Sequence, residues 1–209
     1  MNSATARIAR RPGGARTRRR RIAALVVAAL LGVLVAAFAA GVGPLGEAVR
    51  EITLPLRHDD IIRQQAADKD LDAALIAAVI YEESRFRDQT SHAGARGLMQ
   101  ITPDTADFIA RHSGGVRFTQ ADLAEPQINI AYGSYFLRFL IDHYDGDERL
   151  AVAAYNAGLT NVDGWVERAG GADDFETSDI PFPETRAYVD NVMERRGEYR
   201  DHYANDLGL

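Results

Sequence analysis

The longest apolar stretch covers residues 22–42, twenty-one positions without a charge. At ~1.5 Å per residue such a helix is about long enough to cross the ~30 Å hydrocarbon core of a bilayer. It has no polar face, which argues against a buried helix of a soluble domain. A second run, from Ala73 to Ile80, is also apolar on nearly every face and rich in helix formers, and predicts a helix buried in a core. Asp59 or Asp60 can cap a helix over Ile61 to Asp68, and Asp70 or Asp72 can cap the buried helix. Thr102-Pro103 reads as an N-cap followed by proline at the first helical position, opening a helix that runs to about His112 and stops at Gly114-Gly115. Pro126 opens a longer helix in which Ile128, Tyr132, Tyr135, Phe136, Phe139 and Leu140 recur at helical spacing, an apolar stripe expected to face the core down to Tyr144. Asp145-Gly146-Asp147 is a turn; a calcium loop would need more oxygen ligands at alternate positions.

An alanine-rich helix over Glu148 to Asn156 stops at Gly158, and Trp165 falls in a short helix after it, expected as a core anchor. The loop Gly170 to Ser178 and the prolines at 181 and 183 lead to a last helix from about Glu184 to Tyr203. Hardly any strand and no internal repeat are visible. The expectation is a mostly α domain over 54–203 with a short tail, 204–209, joined to the apolar run by a connector over 43–53. Glu47 to Ile52 could add a helical turn within that connector.

Charge separates the chain into two parts. The net charge is −6, yet eight arginines and no acids precede Ile22, so the remainder carries −14. An acidic body argues against nucleic acid as a partner. The basic segment 1–21 places the N-terminus in the cytoplasm and everything after about Gly43 outside. Ala37-Phe38-Ala39 is a possible small-x-small cleavage site, so a secreted protein with a removed signal peptide competes with an uncleaved single-pass anchor. The long basic region, and an apolar run that continues past that site, favour the anchor. No cysteine is present, which rules out disulfides and thiolate metal sites. Neither a paired-histidine motif nor a phosphate-binding glycine loop occurs, so no metal and no cofactor is expected.

The candidate chemistry lies where the buried run ends, at Tyr81-Glu82-Glu83-Ser84-Arg85-Phe86. A carboxyl there is partly desolvated and near the negative end of the helix dipole; both effects favour its protonated form, as a general acid requires. These residues alone leave open that Glu82 and Glu83 are the first solvated positions past a helix. Between Arg87 and Gln100, small residues such as Ser91, Gly94, Ala95 and Gly97 suggest a tight loop or short hairpin where the backbone comes close to a ligand.

Four blocks then occur in order: Glu83-Ser84-x-Phe86, Gly94-Ala95-x-Gly97-Leu98-Met99-Gln100-Ile101-x-Pro103-x-Thr105-Ala106, Ala154-Tyr155-Asn156-Ala157-Gly158 and Pro183-Glu184-Thr185-Arg186-x-Tyr188-Val189. Over roughly Leu54 to Tyr199 the chain resembles the soluble lytic transglycosylase domain, a lysozyme-like family that cuts the glycan strands of bacterial peptidoglycan. The resemblance implies a helical catalytic domain with a loop or hairpin at its site, Glu83 as the single catalytic acid, and no cofactor. It implies that Ser91 and Gln100 line the groove, that Tyr155 and Asn156 lie near Glu83 and the acetamido group, and that Glu184 contacts the glycan. Arg186, Tyr188 and Met99 are as compatible with supporting the fold. Thr102 stands where the family often has methionine. The implied reaction breaks the β-1,4 bond between N-acetylmuramic acid and N-acetylglucosamine with formation of a 1,6-anhydro ring. A goose-type lysozyme that hydrolyses the same bond and a non-catalytic glycan-binding scaffold are the rivals, and protein partners cannot be read from the chain.

Overall fold

The computed structural model describes residues 14–39, 44–113 and 119–209. The chain divides into two compact units, Met1–Thr53 and Leu54–Leu209.

In the first unit α1 spans Gly14–Ala39 and α2 spans Pro44–Thr53. Ile22, Leu25, Val26, Leu30, Leu31, Val33 and Val35 of α1 are exposed. Among the described residues no helix is long and apolar enough to cross a membrane. Most of the basic segment and the end of the apolar run, 40–42, lie outside the described residues. The connector expected at 43–53 is instead helical from Pro44. Proline is compatible with a first helical position, Glu47 suits the N-terminal turn and Arg50 the C-terminal one. The Thr53 hydroxyl donates to the Val49 carbonyl at 2.9 Å within the last turn.

The second unit is helical. Its elements are α3 (Asp59–Lys69), α4 (Ala73–Ser84), α5 (Pro103–His112), α6 (Pro126–His143), α7 (Glu148–Ala157), α8 (Leu159–Ala169) and α9 (Pro183–Leu207), with 3-10 turns at Gln120–Ala124 and Thr177–Asp179. The centre of the unit is α4, where every side chain from Ala73 to Tyr81 is buried. It lies chiefly along α9, while α7 packs on α6 and α9 and α3 bridges α4 and α6. The alanines of α4, and Ala151, Ala153 and Ala154 of α7, are completely or nearly completely buried, so these helices approach their neighbours closely.

Two of the expected caps form, at Asp72 and Thr102, and Asp147, read from the sequence only as part of a turn, supplies a third. Asp72 accepts from the Ala74 amide at 2.9 Å, Thr102 from the Thr105 amide at 3.2 Å, and Asp147 from the amides of Arg149 and Leu150 at 2.9 and 3.0 Å. Asp72 also accepts from Arg196 Nε at 2.5 Å and Arg200 Nε at 3.2 Å, which ties the start of α4 to α9. Burial alone would raise the pKa of Asp72, but these donors hold it below the usual value. The helix expected at Ile61 begins at Asp59, and its cap position is His58 in a left-handed conformation (φ 58°) without a side-chain cap. Asp59 serves the first turn instead, pairing with Arg63 at 2.5 Å. Trp165 is buried as expected, edge-on to Phe182 at 5.4 Å. The last helix does not stop at Tyr203: the backbone departs from helical geometry there (φ −131°), and α9 resumes to Leu207, which is buried. Residues 204–207, expected as a tail, are therefore helix.

The stripe expected as the core face of α6 is displaced. Its buried positions are Asn129, Ile130, Gly133, Ser134, Leu137, Leu140 and Ile141. Of the predicted residues only Leu140 is fully buried, and Ile128, Tyr132, Tyr135, Phe136 and Phe139 pack on the core while partly exposed. The reason is that α6 buries a loop, not only another helix. Residues 87–101 carry isolated antiparallel bridges, Thr90 with Arg96 and Arg96 with Ile101, and no named strand. Asn129 accepts from the Met99 amide at 2.7 Å and donates to the carbonyls of Arg96 and Leu123, each at 2.9 Å. Gly97 lies against it with φ 78°; a Cβ there would stand 2.2 Å from Asn129 Nδ2 and 2.5 Å from the Leu123 carbonyl oxygen. Small polar residues on α6 thus leave room for the loop backbone and satisfy it.

Asn129→Leu removes the partner of three backbone groups that lie wholly or partly out of water. At roughly 1–3 kcal/mol for each unsatisfied group, the expected loss of stability is at least about 3 kcal/mol, measured as a fall in ΔG of unfolding in urea at unchanged m-value.

Candidate active site

The site is built at the C-terminal end of α4. Glu83 occupies the last turn and Ser84 the final position. The chain then hooks away through two consecutive left-handed residues, Arg85 (φ 52°) and Phe86 (φ 59°). For residues with a Cβ this backbone is strained, and it persists where the surroundings fix it. Here the Arg85 amide donates to the Tyr81 carbonyl at 2.8 Å, and Phe86 is buried with its ring 6.2 Å from that of Tyr199. The Ser84 hydroxyl points inward to the Ile80 carbonyl at 3.2 Å. Serine and phenylalanine after the glutamate therefore serve the bend that ends α4 beside the Glu83 carboxyl.

Glu83 is half-buried, and its Oε1 accepts a hydrogen bond from the Tyr188 hydroxyl of α9 at 2.7 Å. Its pKa is raised to about 7 from the usual 4.5, mainly by burial and further by the neighbouring charge of Glu82, against the Tyr188 hydrogen bond, which favours the carboxylate. Tyr155, at the end of α7, donates to the Met99 carbonyl at 2.9 Å. The pKa values of Tyr155 and Tyr188 are pushed well up by burial and by the charge of Glu83, so both remain neutral donors across ordinary pH. Glu83, Tyr155 and Tyr188 form one cluster assembled from three helices. Glu82 faces elsewhere: Arg195 Nε lies 3.6 Å from it and Asn191 Nδ2 3.4 Å.

The loop residues are joined to this cluster through the backbone. Gln89 donates to the Glu83 carbonyl at 3.1 Å, and Gln100 donates to the carbonyls of Gln89 and Gly97 at 3.1 and 2.8 Å. Ser91 Oγ accepts from the Ala95 amide at 3.0 Å, closing the tip of the loop. Asn156 accepts from the Thr185 hydroxyl at 2.8 Å, and so holds the start of α9 next to the end of α7. Glu184 is exposed in the first turn of α9, beside Thr185. Of the six candidates, Tyr155 lies near enough to Glu83 to feel its charge, Asn156 is tied to the start of α9 where Glu184 stands, and Ser91 and Gln100 hold the loop.

A match to the transglycosylase SLT domain model covers residues 60–178, more than half of the chain. The chain belongs to this family. It is 32% identical over 154 residues to the soluble lytic murein transglycosylase of Salmonella typhimurium, covering 72% of this chain and 24% of that protein. Membrane-bound lytic murein transglycosylase F of Pasteurella multocida is 40% identical over 100 residues, covering 44% of this chain and 18% of that protein. The crystal structure of an inactive mutant of the lytic transglycosylase Slt from Pseudomonas aeruginosa superposes with a TM-score of 0.66 at 32% identity, over 73% of this chain and 25% of that one. The chain thus spans about a quarter of the length of the curated relatives it matches first.

Two contributors were not assigned to the site from the sequence: Tyr188, read there as compatible with supporting the fold, and Asn129, which was not singled out. Tyr188 lies beyond the end of the SLT match, in Pro183-Glu184-Thr185-Arg186-x-Tyr188, and that block gave the only signal for it. Asn129 had as its signal a polar residue one position after an apolar one on a helix otherwise read as a plain core stripe.

The raised pKa of Glu83 is also a statement about stability. The folded state holds a proton there that the unfolded chain releases above about pH 4.5, so this group's contribution to stability falls as pH rises through about 7. Glu83→Gln removes the penalty. The variant is expected to be more stable than the parent at pH 8 by on the order of 2–3 kcal/mol, with the difference vanishing below about pH 4, as read by thermal unfolding across pH. In Tyr188→Phe the carboxylate loses its donor, and the Glu83 pKa followed by carbon NMR rises further above 7.

Proposed function

We propose that this chain is a peptidoglycan lytic transglycosylase. The observation that carries the reading is a lone carboxyl, Glu83, half-buried at a pKa of about 7 with a tyrosine hydroxyl 2.7 Å from Oε1. At neutral pH about half of such groups carry the proton a general acid must give, and the other half are the base that must take one back.

A glycosidase with two carboxylates sets both about the scissile bond. Here Glu82 is engaged by Arg195 and Asn191, Asp88 is paired with Arg96 at 3.9 Å, and Glu184 lies exposed on α9. One carboxyl then performs both steps. Protonated Glu83 gives its proton to the glycosidic oxygen on C4 of the departing N-acetylglucosamine as the bond to C1 of N-acetylmuramic acid breaks. The substrate's acetamido carbonyl shares the positive charge at C1. The Glu83 carboxylate takes the proton of the C6 hydroxyl, whose oxygen bonds to C1 and closes the 1,6-anhydro ring, so no water is consumed and Glu83 ends protonated. Tyr188 holds Oε1 in place throughout. As the family resemblance implies, Tyr155 and Asn156 are assigned to the acetamido side of the sugar, and Ser91, Gln100 and Glu184 to the glycan. The names of the related proteins, murein transglycosylases, support the same substrate.

The domain works outside the cytoplasm in this reading, held by an uncleaved single-pass anchor over 22–42. Its supports are the uncharged run, the arginine cluster before it, the exposed apolar side chains of α1 and the membrane-bound relatives.

Purified peptidoglycan digested with the protein is expected to yield muropeptides lighter by one water than hydrolytic products, seen by mass spectrometry, and Glu83→Gln is expected to yield none. Reducing ends in place of anhydro ends would make the enzyme a goose-type lysozyme. Glycan binding without any product would make it a scaffold module. With Glu83 as acid, turnover falls as pH is raised beyond about 7.

A further inference from the structure

The proposed anchor leaves α2 unexplained. Leu45, Ala48, Val49 and Ile52 recur at i, i+3, i+4 and i+7, while Glu47, Arg50 and Glu51 occupy the opposite side. In the structure Ala48, Val49 and Ile52 are not spent on packing: all three are exposed, Val49 at 42% and Ile52 at 81%. Ile52 is the most exposed large apolar side chain among the described residues. A soluble connector gains nothing from such a face, since helices this short are marginal in water without a surface to cover.

We propose that α2 lies in the plane of the outer leaflet, with Val49 and Ile52 in the lipid interface and Glu47, Arg50 and Glu51 toward water. This rests on the anchor reading above. Continuity of the chain identifies the occupant, because the apolar run ends at Val42 and α2 begins at Pro44, so its first turn emerges at the bilayer surface. Interfacial helices that bind from solution draw on basic polar faces. The face of α2 is mildly acidic and needs no such help, since the span before it holds it at the membrane at high effective concentration.

The arrangement restricts reach. Ten residues in extended form would let the catalytic unit travel ~33–36 Å from the surface, and the same ten as an upright helix ~15 Å. Laid flat they add almost nothing, and only five residues separate Thr53 from the start of α3 at Asp59. All five belong to the catalytic unit, and the first two are tied to its last helix: Tyr203 donates to the Leu54 carbonyl at 2.8 Å and Tyr199 to that of Pro55 at 2.7 Å. The enzyme would therefore cut glycan lying next to the membrane in preference to distant layers of wall.

The test uses the full chain in phosphatidylcholine vesicles, with a single cysteine carrying an environment-sensitive fluorophore; the absence of native cysteine makes labelling specific. Labels at Ile52→Cys and Glu51→Cys report on α2, and one at Val33→Cys on the span. The expected result is blue-shifted emission at Ile52 that is lost to a shallow lipid-borne quencher, with Glu51 quenched only by aqueous iodide and Val33 only by a deep acyl quencher. Loss of the Val33 signal to the deep quencher with Ile52 open to iodide would keep the anchor and overturn the interfacial helix. Val33 open to iodide would overturn the anchor reading and this one with it. A blue shift at Ile52 that ignores the lipid quencher and fades on diluting the protein in lipid would assign the face to a second copy.

Discussion

The hydrogen bond between Tyr188 and Glu83 joins the two elements on which the catalytic unit depends. Glu83 is half out of water because α4 is buried along almost its whole length, and Tyr188 reaches it because α9 runs along that helix. Burial pushes the proton onto the carboxyl and the tyrosine pulls it partly off, leaving a pKa of about 7. A group tuned this way has to be held by rigid neighbours, since a small change in exposure would move it by as much as the hydrogen bond does. The ion pairs of Asp72 with Arg196 and Arg200 fix the other end of the same helix pair. They set the register of α9 against α4, and with it the position of Tyr188.

The loop after α4 is held from the opposite side. Asn129 on α6 satisfies three of its backbone groups, Gly97 and Gly133 leave room for it, and Met99 fills the space over Gly133. Through Met99 the loop meets Tyr155, and through Gln89 it meets the Glu83 carbonyl. The strained hook at Arg85 and Phe86 is sustained by the same packing, because Phe86 fills the core beside Tyr199. Precision at the carboxyl is thus distributed over residues that never touch it.

Most of the helical framework was legible in the sequence. Local capping chemistry pointed to Asp72, as one of two candidates, and to Thr102, and prolines at 103, 126 and 183 stand at the first position of their helices. The errors came where tertiary contacts override a local pattern. A stripe of aromatics on α6 looks like core by periodicity, yet the loop against that helix needs amide and glycine more than hydrocarbon. The last helix was expected to end at Tyr203, but burial of Leu207 repays the turn beyond the irregular residue. Pro44 and Gly46 look like breakers in isolation, and a first-turn proline is nonetheless compatible with α2.

By itself the sequence determined the helical class and the buried helix that ends in a carboxylate, because these follow from local periodicity; the preference for Glu83 over Glu82 rested on the family resemblance, in which Ser84 and Phe86 set the register. Only the tertiary structure decided which groups surround that carboxylate. Tyr188 is 105 positions away and Tyr155 owes its place to a loop carbonyl 56 positions distant. Such pairings carry no local signature, since they are set by how α4, α7 and α9 pack and not by the preferences of any one of them.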